Sequence, residues 1–136
     1  MTAEELLERY EKGERDFSGV DLSGVNLEGA YLRSINLSGA YLSGANLSYT
    51  DLSFANLSGA NFNGTDLSYA DLNFAKLIGT NWKGANITQA EIMDADFTNA
   101  NLQGAIGSFG CAHSALLHNT IWWNGDLVIG PEIIDA

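Results

Sequence analysis

The sequence predicts an all-β solenoid, a chain wound into stacked coils and closed at its start by a short helix. Three observations predict it. Stepping by five from Phe17 reaches Leu22, Leu27 and every fifth residue to Leu102, eighteen apolar centres without an insertion or deletion. Two places before each centre, seventeen of the eighteen residues are small or β-branched, Arg15 being the exception. Glycine ends ten of the eighteen pentads, as a corner that needs positive φ requires. A period of five fits neither the 3.6 of an α-helix nor the 3.5 of a coiled coil, and a strand would alternate without end. Within a pentad the two apolar residues are two apart, so they share one face of a short extended piece. The other three residues of each pentad, one inside the pair and two after it, are mostly polar and turn-prone. Each pentad is therefore one side and one corner of a coil, and stacked coils pair their backbones around a core of Leu and Ala.

Residues 1–14 form an N-terminal cap. Thr2-Ala3-Glu4-Glu5 reads as a capping box, and Leu6, Leu7 and Tyr10 share one face of a helix over 2–12, with Gly13 as its C-cap. Residues 15–104 are the repeat. With a coil rise of about 4.8 Å, its coils make a rod roughly 22 Å long. Open ends on such a rod invite polymerisation, which is why caps are expected. Residues 105–136 are less regular: the five-step count finds no large centre at Gly107 or Ala112 and recovers at Leu117, Trp122 and Leu127. Either a last coil with a bulged side runs to about residue 129, the preferred reading, or Asn124-Gly125 turns a hairpin.

The pentads Ala45-Asn46-Leu47-Ser48-Tyr49 and Ala70-Asp71-Leu72-Asn73-Phe74 follow the pattern Ala-(Asp/Asn)-Leu-x-x, and over residues 15–104 the chain resembles the pentapeptide repeat family. The resemblance implies a right-handed, quadrilateral β-helix. Recurrence at spacing twenty agrees with four sides: Tyr49 and Phe54 return as Tyr69 and Phe74, and Asp51 and Asp71 are followed by Glu91. Thr50, Thr65 and Thr80, at spacing fifteen, run against it. Thr120-Ile121-Trp122 is similar to the Thr-x-Trp-Pro segment with which many members end, although Trp123 stands where the proline would be.

Length and composition narrow the function. At 136 residues a single domain is expected, and 17 acidic against 6 basic residues leave a net charge of −11. Such a chain repels nucleic-acid phosphates and anionic lipid, so protein partners are expected, with neither nucleic acid nor membrane. The start has neither the basic n-region nor the apolar h-region of a secretory signal, and a cytoplasmic location is expected. Cys111, His113 and His118 have the residue types of a metal or thiol site, but with no second cysteine or orienting carboxylate pattern they read as cap residues. The serines occupy solvent-facing repeat positions with no histidine to activate them. No catalysis, cofactor or metal is expected.

Surface columns are more informative, because residues twenty apart stack. Tyr49 lies over Tyr69 and Phe54 over Phe74, at corners where glycine is usual. Beside the Phe column stack Tyr31, Asp51, Asp71 and Glu91. The aromatics either shield the corner by stacking on one another, or, with Asp51, Asp71 and Glu91, form a protein-binding patch. Trp82 occupies a centre that normally takes Leu or Phe, and its indole N–H needs a buried partner; local widening of the coil is expected there.

The resemblance implies a rigid, non-catalytic scaffold or adaptor that presents these columns to an unidentified protein partner, as for many cytosolic members, which are numerous in cyanobacteria. The alternative is that of members that protect type II topoisomerases such as gyrase by imitating DNA. Residues 15–104 carry nine acids and four bases, a net of −5, whereas duplex DNA of that length carries about 13 charges. A third expectation is a homodimer through the C-terminal apolar segment, which holds Leu116, Leu117, Ile121, Trp122, Trp123, Leu127, Val128, Ile129, Ile133 and Ile134.

Overall fold

A computed structural model of the chain describes residues 1–135. It opens with helix α1, Ala3–Glu11. The Thr2 hydroxyl accepts the Glu5 N–H at 3.1 Å as the N-cap, and its own proton goes to the Glu5 carboxylate at 3.2 Å in place of the backbone bond that would complete a capping box. Lys12 is the C-cap, and Gly13 comes next with φ +97°. The helix buries Leu6 and Tyr10 against the first coil. That coil has no predecessor to donate to its outward carbonyls. The Tyr10 hydroxyl donates to the Arg33 carbonyl at 2.7 Å, and the Met1 ammonium to the Asp21 carbonyl at 3.2 Å.

From Asp16 onward, parallel bridges join residues twenty apart in four ladders, which begin at Asp16, Asp21, Asn26 and Tyr31. Each coil is sewn to the next in both directions: the Leu52 N–H donates to the Asp71 carbonyl at 2.8 Å, and the Asp71 N–H donates to the Thr50 carbonyl at 2.9 Å. The Asn or Asp before each centre has a local task. Its Oδ1 accepts the backbone N–H two residues on, at 3.0 Å for both Asn46 to Ser48 and Asp51 to Ser53, and so starts the corner. The centre's carbonyl closes that corner, as Leu42 does with the Ala45 N–H at 3.0 Å. The last pentad residue, from Gly19 to Gly104, has positive φ at every corner.

All eighteen centres are buried. The inward threonines, whose spacing of fifteen ran against four sides, take the place of alanine. Their hydroxyls donate to carbonyls at 2.6 Å, Thr50 to Leu47, Thr65 to Leu42 and Thr80 to Leu77, so they carry no register of their own. The Trp82 indole N–H donates to the Thr80 hydroxyl at 2.7 Å, a partner within its own pentad, and the ring lies 4.6 Å from Phe62. The coil gives slightly beside it, where the Asn81 N–H reaches the Ala60 carbonyl at 3.4 Å against 3.0 Å for Asn61 to Ala40.

The twenty-residue register continues to Ile121, with one irregular side around Gly107–Gly110 where Phe109 packs among Trp82, Phe97 and Trp122. Then the chain reverses. β1 (Leu116–Leu117) and β2 (Thr120–Ile121) belong to the last coil, and β3 (Leu127–Val128) and β4 (Glu132–Ile133) return antiparallel, β3 on β2 and β4 on β1. The Trp122 N–H donates to the Asp126 carbonyl at 2.8 Å across a turn that contains Asn124 and Gly125. The coil thus stops at Ile121, short of the residue 129 that the five-step count favours, and past Ile121 the hairpin alternative holds. The physical reason is backbone pairing, since β3 and β4 occupy the N–H and C=O rows on which another coil would build.

Candidate protein-binding face

The Tyr31 ladder brings Tyr31, Asp51, Asp71 and Glu91 into one column, each bridged to the next. Both of its edges are aromatic. On one, Tyr49 and Tyr69 stack with centroids 4.9 Å apart and planes 3° from parallel; on the other, Phe54 and Phe74 stack at 4.7 Å and 5°. Asp51 and Asp71 follow Tyr49 and Tyr69 by two residues and precede Phe54 and Phe74 by three, so the ladder runs between the two columns. All seven residues of the expected patch therefore share one face. The four rings are 43–59% exposed, so they are neither core nor fully solvated.

Corner chemistry singles this face out. Eight of the eighteen corners between Gly19 and Gly104 lack glycine, and seven of those eight flank the Tyr31 ladder: Ser34, Tyr49, Phe54, Tyr69, Phe74, Gln89 and Asp94. The opposite side, the Asp21 ladder, has glycine at every flanking corner except Asn99. A bulky residue at positive φ costs ~1–2 kcal/mol. The four rings sit at φ +59° to +62°. A stacked pair returns only about 0.5–1.5 kcal/mol, so stacking leaves part of that strain uncompensated.

The carboxylates differ in their surroundings. Asp51 accepts from the Ser53 hydroxyl at 2.6 Å, and Glu91 accepts from the Asn73 amide at 3.0 Å. Asp71, in the middle, is pushed above the usual carboxylate range, first by burial and then by the charges of Asp51 and Glu91, against the Asn73 N–H bond and the distant help of Arg33. Arg33 holds its guanidinium 4.6 Å over the ring of Phe54. Sequence reasoning missed Arg33. Arg33 reaches Phe54 across a corner and the next coil, a contact with no periodic signal.

Cys111, His113 and His118 remain in the irregular last coil, Cys111 exposed and unpaired. Among the described residues no three His, Cys, Asp or Glu side chains gather as metal ligands, and no helix is long and apolar enough to cross a membrane. An open depression of about 400 Å³ beside them is lined by apolar groups, Ile87, Phe109, Trp122, Trp123 and Ile134 among them, and holds no titratable side chain.

The pentapeptide repeat family model matches residues 16–48, 35–73 and 65–104, in eight copies. Among solved structures, the chain is similar to a pentapeptide repeat protein of the cyanobacterium Cyanothece 51142, with 33% identity, 85% of this chain and 96% of the other covered, and a TM-score of 0.69. A pentapeptide repeat protein of the Arabidopsis thaliana thylakoid lumen shares 34% identity over 67% of this chain and 63% of its own, with a TM-score of 0.40. One from Nostoc PCC 7120 shares 36% over 88% and 79%, with a TM-score of 0.35. No curated protein matches. The family and its cyanobacterial neighbour imply a right-handed β-helix. With the repeat matched over most of its length and the Cyanothece structure covered almost end to end, the chain belongs to the pentapeptide repeat family.

Proposed function

We propose that this chain is a non-catalytic, quadrilateral scaffold that binds a protein partner in the cytoplasm through the Tyr31 ladder and its two aromatic edges. The observation that carries the reading is the concentration of non-glycine corners around one ladder, where side chains accept backbone strain and remain exposed. Exposed aromatics beside charge have the composition of an interface centre. Affinity capture from the native cell tests it, with Phe54 and Phe74 both changed to glycine, the residue their corners favour. The partner is expected to be lost while the circular dichroism of the fold is retained; a partner list that does not change would sink the proposal.

The tail supplies a second contact in this reading. Trp123, Leu127, Ile129 and Ile133 are more than half exposed, and β3 and β4 each have a free edge. They pair two copies of the chain. Light scattering is expected to give twice the chain mass for the intact protein and the single mass for Leu127→Glu with Ile129→Glu; a monomeric intact protein would remove this contact.

A further inference from the structure

The Phe column has one ring face in use by a cation and an equivalent face, on Phe74, that no cation takes up among the described residues. Along the column the order is Arg33, Phe54, Phe74 and then the corner of Asp94. Arg33 covers the outer face of Phe54 at 4.6 Å, and the rings of Phe54 and Phe74 cover each other. Among the described residues no ring or guanidinium covers the second face of Phe74, which looks toward the coil of Met93 and Asp94. Asp94 stands one coil further on, and none of the ion pairs among the described residues involves it, Asp71 or Glu91. The Tyr column has no such arrangement, because it passes from Tyr69 to the uncharged Gln89.

We infer that the partner presents an arginine whose guanidinium stacks on the second face of Phe74 and pairs with the Asp94 carboxylate. The inference rests on the scaffold reading and names the chemistry of its partner, a basic protein segment. Arg33 supplies the internal precedent, since its guanidinium carbon sits over a ring of this column at 4.6 Å. A guanidinium suits the seat better than an ammonium, since it stacks flat and still turns an N–H edge to a carboxylate. Charge complementarity agrees: the neighbouring ladder is acidic throughout from Asp51 to Glu91, and a cation at its edge relieves the mutual repulsion of those carboxylates. The same acids repel phosphate, which disfavours a nucleic acid at this place.

The test titrates the intact chain with a synthetic Gly-Ser peptide that carries three arginines, and with the same peptide carrying lysine or citrulline instead, by calorimetry and aromatic carbon-proton spectra. The arginine peptide is expected to bind and to shift the Phe74 ring signals. Binding should weaken about tenfold in Phe74→Gly and in Asp94→Asn, with lysine weaker and citrulline at least about tenfold weaker than arginine. Asp94→Asn leaves the stack in place and keeps a residue that tolerates positive φ, so it reports on charge even where Phe74→Gly alters the fold. Equal binding of arginine and citrulline, equal binding of arginine and lysine, indifference to both substitutions, or no binding at about millimolar peptide would each overturn the inference. If the peptide fails while Phe54→Gly with Phe74→Gly still abolishes capture of the native partner, the arginine seat falls and the scaffold stands. A capture list unaffected by that pair removes the scaffold itself.

Discussion

Two opposite sides of the same coil use aromatic residues in opposite ways. The side built on the Asp21 ladder carries Phe62 and Trp82 inside, has a single outward ring, Tyr41, on a ladder that is mostly asparagine, and turns at glycine save at Asn99. The side built on the Tyr31 ladder is filled by Leu32, Leu52, Leu72 and Ile92 inside and carries its rings and carboxylates outside. The backbone pairing is the same in both. Their difference teaches that the repeat leaves two free choices per pentad, the size of the inward centre, which shapes the core, and the identity of the corner, which shapes the outer surface.

The largest way to break this contrast is from within. Trp82→Ala removes the biggest buried side chain and leaves the Thr80 hydroxyl with one partner fewer. It should cost about 3–5 kcal/mol, read from denaturant unfolding. A loss below about 1 kcal/mol would mean that the inner aromatic column is not what holds this side.

A reciprocal exchange tests the corners. Gly44→Phe with Gly64→Phe puts rings on the plain side at φ +69° and +67°, where a Cβ meets nothing closer than 3.9 Å. Strain without steric clash should therefore cost ~1–2 kcal/mol for each. In the other direction, Phe54→Gly with Phe74→Gly should change stability by less than about 1 kcal/mol, because relieved strain offsets the lost stack. Equal and large losses in both directions would show that the rings at the Tyr31 side are there for stability.

The smallest effect lies in the carboxylates. Asp21 and Asp71 hold the same pentad position and make the same turn, yet their acidities move apart. The N–H and hydroxyl of Ser23 hold Asp21 below the ordinary range, while burial and flanking acids push Asp71 above it. A raised carboxyl means that the folded chain holds the proton more tightly than the unfolded one. Asp71 is then most favourable to folding below its unfolded value of ~3.9, and that contribution is lost as pH rises through the folded value. Asp71→Asn keeps the turn, as Asn61 does with Asn63 at 2.9 Å, and removes the charge. Its melting temperature should exceed that of the parent slightly at pH 7, with the gain gone near pH 3. A gain that persists at pH 3 would assign the effect to packing.

Much of the fold was legible without coordinates because its rule is local and repeats. A small residue, an Asn or Asp, a large apolar residue and a turn pair recur every five residues, and each satisfies its neighbours within one pentad, as Asn46 does for Ser48. The column of Asp51, Asp71 and Glu91 and the two stacks follow from that period once twenty residues make a coil. The reading weakens where the period fails. Phe109 falls at a corner position by count, yet it packs inward against Trp82, Phe97 and Trp122, contacts made across separate coils.

The pentad, the buried centres and the Thr2 cap of α1 were therefore settled by the order of amino acids alone, since each depends on residues a few places apart. Three features came only from the three-dimensional arrangement: where the coil stops, that Arg33 covers Phe54, and which way each aspartate titrates. These depend on what lies twenty residues away or on the reversed tail, where burial, neighbouring charge and competition for backbone hydrogen bonds act through space rather than along the chain.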